Sequence, residues 1–473
     1  MSMPVFATDW YLDKAATGTN KGTSLANAWT TFSAITWASI VSGDTLWIKG
    51  ADYNEFFTID VGSTKTGISV KILPASTQPA IFKGGYVDSV NNSLIDGYLN
   101  GTQYFIFRGT ASSSNAAFGI RLCSNLIVRG VEAERSALYL SDTVQYHVIA
   151  INTCDHVTVE YCYLHHSSAD GINIIADQAT GDVYNNFIIR YNRIVHVGDD
   201  GIQLGANMGI SVYNNYVDND GQDPLLGGHP DGIQMNPGGG NLIIASNTFR
   251  GFNQNIFIEF ATKNVYIYNN TLIGIRTYGT DCGMSLDVPG TDPRSLSFPL
   301  FTGTFLVANN TFYNFNSYAA ITCGDLTVGT GKQVIGNNVF VNCKIIISSI
   351  SSALLNASNI YFDEAGAKFY DSAGSEVTLY DQYAGASRYI DPGLKNTAGY
   401  DFTPTSSAAK SVGTGANLAP FFITDRNGSA RTAAGAWDVG AFVLGSVPVA
   451  VPPVPMTPPT GNLPPYNAVS AFK

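Results

Sequence analysis

The sequence predicts an all-β chain wound as a parallel β-helix, and three observations predict it. One phrase recurs: apolar residues, an asparagine, more apolar residues. It reads FIIRYNRIV from Phe187, ISVYNNYV from Ile210, LIIASNTF from Leu242, VYIYNNTL from Val265, FLVANNTF from Phe305 and QVIGNNVF from Gln333. A pattern this constant over unequal lengths marks a solenoid. Next, the aligned residues Asn192, Asn215, Asn247, Asn270, Asn310 and Asn338 lie 23, 32, 23, 40 and 28 positions apart. The shortest step fits one coil of three strands and three turns; longer steps put loops into a turn. Finally, charged residues make up only 13% of the chain, Gly numbers 48, and long helical patterns are scarce. Continuous winding joins parallel strands without the crossover helices they otherwise need.

The elements follow in order. Residues 1–44 read as an N-terminal cap, with Ala34–Ile40 as a short helix. Residues 45–365 read as the β-helix proper. Its early strands are TLWIKG, FFTID, GISVKILP, SLIDG, YFIFRG and NLIVRG, each short, β-branched or aromatic, and most ended by Gly, Asp or Pro. The asparagine column has a physical reason: a turn amide bonds backbone, and equivalent amides stack from coil to coil. Cys162 takes the asparagine position of its own coil. Residues 366–445, richer in Ala, Ser, Gly and Asp, read as a C-terminal closing segment. Residues 446–473 form a Pro-rich tail, with eight prolines from Pro448 to Pro465; that composition favours an extended, polyproline-like chain.

Composition narrows the partners. The net charge is −11 and no basic run occurs, which argues against nucleic acid. No apolar run is long enough for a membrane span. The start, MSMPVFATDWYLDKA, lacks the basic and apolar parts of a signal peptide. Six cysteines without a C-x-x-C pair read as buried apolar thiols rather than a zinc or redox site. The expectation is no resident metal.

A second column carries the chemistry. Eight residues past the ladder position stand Asp170 in SADGINI and Asp200 in DDGIQL; sixteen past Asn215 stands Asp231 in HPDGIQM, the extra eight falling in a loop. Asp199 adjoins Asp200, and His229 lies two before Asp231. Asn173, Gln203 and Gln234 form a parallel polar column. The next coil, QNIFIEF, has Gln254 or Asn255 in place of a carboxylate, then Glu259. Coils spaced about 4.8 Å apart set neighbouring carboxylates roughly 5 Å and outer ones roughly 10 Å apart. Such separations bracket those of glycosidases, and crowding raises at least one carboxyl pKa. The alternative is that each Asp-Gly only marks a turn. Loops at 218–230 and 276–303 would wall a groove, with Tyr216, Phe252, Phe257, Phe260 and Tyr278 as aromatic candidates. His165, His166 and His196 read as turn or surface residues.

WYLDKAATGTNKGTSLANAWTTF…SGDTLWIKG, the coils Phe187–Asn338 and TDRNGSARTAAGAWDVGAF at 424–442 together resemble the right-handed parallel β-helix proteins of the pectin-lyase-like superfamily. The resemblance implies a right-handed, single-stranded helix. The aspartates are similar to those of polygalacturonase-type inverting hydrolases. That likeness implies Asp199 as general acid, Asp170 and Asp200 activating water, His229 assisting, and Lys263 as a distant stand-in for a missing Arg-Ile-Lys. Ala169 and Pro230 depart from the pattern. A second likeness, to calcium-dependent pectate lyases, implies Ca2+ at the same aspartates, with Gln203 departing from the ligand set.

Three readings follow: a polysaccharide hydrolase binding an extended glycan, with Asp170, Asp199, Asp200, Asp231 and His229 catalytic and Asn173, Gln203, Gln234, Glu259 and Lys263 contacting substrate; a lyase or epimerase of a uronic-acid polymer using Ca2+; and a non-catalytic glycan-binding phage tail protein. The expected setting is extracellular or virion-associated, as monomer or homotrimer.

Overall fold

The computed structural model describes residues 7–60, 66–109, 116–135, 144–175, 185–205, 208–219, 229–236, 239–259, 263–275, 282–286, 303–315, 320–323, 332–343, 347–348, 354–362, 388–389, 391–409, 411–419, 421–432 and 434–446. The chain divides into two compact units, with the change between Val197 and Gly198.

In the first unit, three parallel sheets grow by one strand per coil. The first sheet starts with Asp9–Leu12, which pairs with Thr45–Ile48, and continues through Ser69–Ile72, Asn91–Asp96, Ser124–Arg129, Thr158–Glu160 and Ile188–Arg190. The second runs from Ala80–Phe82 through Phe105–Arg108, Val131–Glu134 and Tyr163–Ser167 to Arg193–Val197. The third holds Phe56–Asp60, Gly84–Asp88, Ala116–Arg121, His147–Asn152 and Ile172–Ile175. Alternation decides which side chains turn inward: in Thr45–Ile48, Leu46 and Ile48 are buried and their neighbours are not. A column of Phe57, Phe82, Phe105, Phe107 and Phe118 fills the interior. Each such ring contributes on the order of 2–3 kcal/mol by burial.

The expected helix at Ala34–Ile40 is instead two 3-10 turns, Phe32–Ala34 and Trp37–Ser39. β-Branched Ile35 and Thr36 stand between them in extended or irregular backbone, where a continuous helix would crowd their side chains.

The second unit repeats the plan. Its first sheet runs Met208–Tyr213, Gly240–Ala245, Val265–Tyr268, Thr304–Ala308, Lys332–Gly336 and Leu354–Ala357. Its second begins with Tyr216–Asp218 and Thr248–Arg250 and ends with Ile360–Phe362 and Arg388–Tyr389. Its third holds Ile202–Leu204, Ile233–Met235, Gln254–Ile258, Cys282–Leu286, Ile321–Cys323 and Ile347–Ser348.

The tight turn from first to second sheet carries the asparagine ladder. The backbone N–H and Nδ2 of Asn247 both donate to Asn270 Oδ1, at 2.9 and 3.1 Å. Asn270 does the same to Asn310, Asn310 to Asn338, and Asn338 to Asn359. The residue before each ladder asparagine is left-handed, as at Asn214, Ser246, Asn269, Asn309 and Asn337. Asn tolerates that conformation better than most residues, which explains the recurrent Asn-Asn pair. In the first unit Cys162 does occupy a ladder position: its N–H donates to Asn192 Oδ1.

Within 391–446, the C-terminal segment lies along this ladder turn of the second unit. Asn269 donates to Thr424, Asn309 to Asp438 and Asn337 to Ala416. Buried Arg431 donates to Asp438 O, Gly440 O and Asn269 Oδ1. The Pro-rich tail lies outside the described residues.

Candidate active site

The aspartates precede the third-sheet strands of their own units: Asp170 before Ile172–Ile175, Asp200 before Ile202–Leu204, Asp231 before Ile233–Met235. Asp-Gly has a structural reason at its second position. A Cβ on Gly232 would lie 2.4 Å from the Asn255 carbonyl oxygen, and one on Gly201 2.5 Å from that of Gly232. Close stacking of coils therefore requires glycine there. It does not require the aspartate.

In the second unit Asp199, Asp200, His229 and Asp231 form one network. Asp200 is buried, and its Oδ1 accepts the Asp231 N–H at 2.8 Å. Half-buried Asp199 accepts the His229 N–H at 3.0 Å. His229 Nδ1 lies 3.2 Å from Asp231 Oδ2; the histidine side chain is 47% exposed and the aspartate 0%. Asp231 Oδ1 is buried with no hydrogen-bond partner among the described residues. Burial pushes the Asp231 carboxyl up to about 7, with Asp199 adding to the rise and His229 opposing it. A carboxyl that keeps its proton near neutrality thus touches a half-exposed imidazole.

The outer face of the adjoining strands continues the site. Gln203 pairs in register with Gln234, and Gln234 with Phe257. Phe257 is half-buried, with its ring centroid 6.1 Å from that of His229. Asp231 bridges to Gln254, so Gln254, not Asn255, takes the column position in the next coil. Asn255 points inward and donates to the carbonyls of Phe249 and Ile273.

The first unit holds Asp170, also buried. Asn173 Nδ2 donates to its Oδ2 at 2.5 Å, and His147 Nδ1 lies 3.0 Å from the same oxygen. His147 was not singled out in the sequence. Its position in register with the coil before the aspartate emerges only from the pairing of His147–Asn152 with Ile172–Ile175.

Two expected substrate contacts sit apart from this network. The strand Gln254–Ile258 carries the chain away from Asp231, so Glu259, five residues past Gln254, lies about 16 Å along it. Glu259 is buried and its N–H donates to Met235 O. Lys263 is exposed beyond it, in the turn leading to Val265–Tyr268. Among the aromatic candidates, Phe252 is fully buried and Tyr216 bonds Asp218 at 2.6 Å, so both serve packing. Phe260, Tyr278 and residues 220–228 lie outside the described residues.

Residues 140–287 match a protein-family model described as a right handed beta helix region. The fold is a right-handed parallel β-helix. No curated protein sequence matches the chain. Similar solved structures include the pectate lyase Pel9A, at 15% identity, 93% of this chain, 98% of that chain and a TM-score of 0.47. The catalytic unit of a thermostable GH87 α-1,3-glucanase from Streptomyces thermodiastaticus strain HF3-3 shares 15% identity over 82% of this chain and 70% of that chain, at 0.49. PfbA, a surface adhesin of Streptococcus pneumoniae, shares 14% identity over 74% and 91%, at 0.42. Those activities belong to those proteins. No helix among the described residues is long and apolar enough to cross a membrane.

Proposed function

We propose that this β-helix cleaves a polysaccharide, as a glycoside hydrolase whose proton donor is the Asp231–His229 pair. The observation that carries the reading is the buried Asp231 carboxyl, raised to about 7 and joined at 3.2 Å to an imidazole that reaches the surface. Near neutral pH the pair holds a proton between them and titrates as a unit. His229 delivers it to the leaving glycosidic oxygen, and Asp231 stabilises the imidazole. The resemblance gave the acid role to Asp199; here Asp199 takes the role of the half-buried carboxylate that activates water. Asp200 fixes the backbone of Asp231. Gln203 and Gln234 bind sugar hydroxyls and Phe257 stacks on a ring face. No resident cofactor takes part in this mechanism, and the chain acts outside the cell or on a virion.

The test is incubation with a panel of neutral and acidic glycans, reading new reducing ends, ultraviolet absorbance and product mass. Hydrolysis gives saturated products one water heavier. Activity should survive chelation and be lost in Asp231→Asn at unchanged melting temperature. Unsaturated, ultraviolet-absorbing products made only with Ca2+ would replace this mechanism with a lyase. Binding without product would make the groove an adhesive one.

A further inference from the structure

A second cluster, in the first unit, has no part in that reaction. Strand Val131–Glu134 pairs with Tyr163–Ser167, setting Glu134 opposite His165. Strand Arg193–Val197 follows on the other side, with Val195 opposite His165 and Val197 opposite Ser167. Three successive coils therefore bring Glu132, Glu134, His165, His166 and His196 to one edge of the second sheet.

The side chain of His165 is 8% exposed and stacked on Tyr163 with ring centroids 4.1 Å apart. Its Nδ1 lies 2.7 Å from Nδ1 of His166 and 3.6 Å from Glu134 Oε2. Its Nε2 faces Glu132 Oε1 at 3.6 Å and has no hydrogen-bond partner among the described residues. Two ring nitrogens 2.7 Å apart cannot both carry protons. They share one, or both direct lone pairs at a common cation. The carboxylates of Glu132 and Glu134, each 3.6 Å from a nitrogen of His165, supply the negative charge that would offset such a cation. One donor atom each from Glu134, His165 and His166 lies within 4.8 Å of the others. His196 adds a buried Nδ1 with no hydrogen-bond partner among the described residues, its ring centroid 5.2 Å from that of His166. Glu134 also pairs with exposed Arg108 through Oε1 at 3.3 Å, which leaves Oε2 for the cluster.

We infer that Glu134, His165 and His166 form a binding site for a divalent first-row transition metal of the zinc class, oriented by Glu132 and flanked by His196. Two imidazoles and a carboxylate suit such ions, whereas Ca2+ and Mg2+ favour all-oxygen sets. The ion joins the coil of Val131–Glu134 to the coil of Tyr163–Ser167. The six cysteines pointed away from zinc; the site uses none of them.

The test uses the untagged full chain, stripped with chelator and titrated with Co2+ and then Zn2+, read by visible absorption and calorimetry. One Co2+ per chain should bind with intense visible bands, Zn2+ should displace it, and Zn2+ should raise the melting temperature. Glu134→Gln and His166→Asn should each abolish binding; asparagine keeps the left-handed backbone that His166 adopts. Glu132→Gln should weaken it about 10–100-fold. Asp231→Asn should bind as wild type, which separates this site from the proposed reaction centre. No bound ion, or binding that persists in both ligand variants while they melt cooperatively, overturns the assignment. Should either variant fail to fold, the other and Glu132→Gln still decide it.

Discussion

Two turns of the same coils in the second unit treat buried polar groups in opposite ways. At the turn from first to second sheet, every ladder amide is spent on its neighbours. Asn270 Nδ2 alone donates to Asn310 Oδ1, Ile244 O and Tyr268 O. At the turn from second to third sheet, Asp231 is as deeply buried yet leaves Oδ1 without a hydrogen-bond partner among the described residues, and burial pushes its carboxyl up to about 7. Both columns are polar and periodic. The difference teaches that a structural column is recognised by satisfied hydrogen bonds, and a chemical one by what it leaves open.

The comparison can be broken most forcefully at Asp231. Asp231→Asn should lower turnover on the responsive glycan at least roughly 100-fold, the usual scale for acid–base catalysis, while thermal melting stays level or improves. Equal loss of activity and fold would make the aspartate one more ladder residue. Next in size, Asn270→Ala should destabilise by about 3 kcal/mol or more in denaturant titration. It removes the acceptor of Asn247 N–H and Nδ2 and the amide that donates to Ile244 O, at about 1–3 kcal/mol for each buried group left unpaired.

The pH dependence sharpens the contrast. Asp231 titrates from the ordinary 3.8 in the unfolded chain to about 7 in the folded one. The folded state therefore holds the proton more tightly, and stability should fall as pH rises from about 4 to about 7, then level off. Asp231→Asn should remove that fall, whereas Asn270→Ala should shift the whole curve without changing its slope. Activity of the wild type should decline as pH climbs through about 7, as the proton-donating form is lost. Phe257→Ala should have the smallest effect, roughly tenfold in KM (about 1.4 kcal/mol) with kcat little changed.

Much of this was legible in the chain. The asparagine phrase located the tight turn, named all but the last ladder residue, Asn359, and gave Cys162 its place. The eight-residue step located Asp200 at its strand start, and the sixteen-residue step Asp231. The departures share a cause. Glu259 and Lys263 follow Gln254 closely in sequence, but an extended strand converts five residues into about 16 Å. His165, His166 and His196, read as turn or surface residues, lie in the strands Tyr163–Ser167 and Arg193–Val197, with His165 buried; their neighbours, like the Asp170 that His147 meets, come from other coils. The visible traces were a His-His pair, a third histidine 30 residues later and two glutamates two apart.

By itself, then, the sequence determined the winding: repeating apolar phrases and stackable amides force parallel coils, because only that arrangement buries the apolar residues and satisfies their backbone at once. Tertiary structure decided which carboxyl keeps its proton. Burial and the neighbouring charge set that value, and both depend on coil register rather than on any residue's own chemistry.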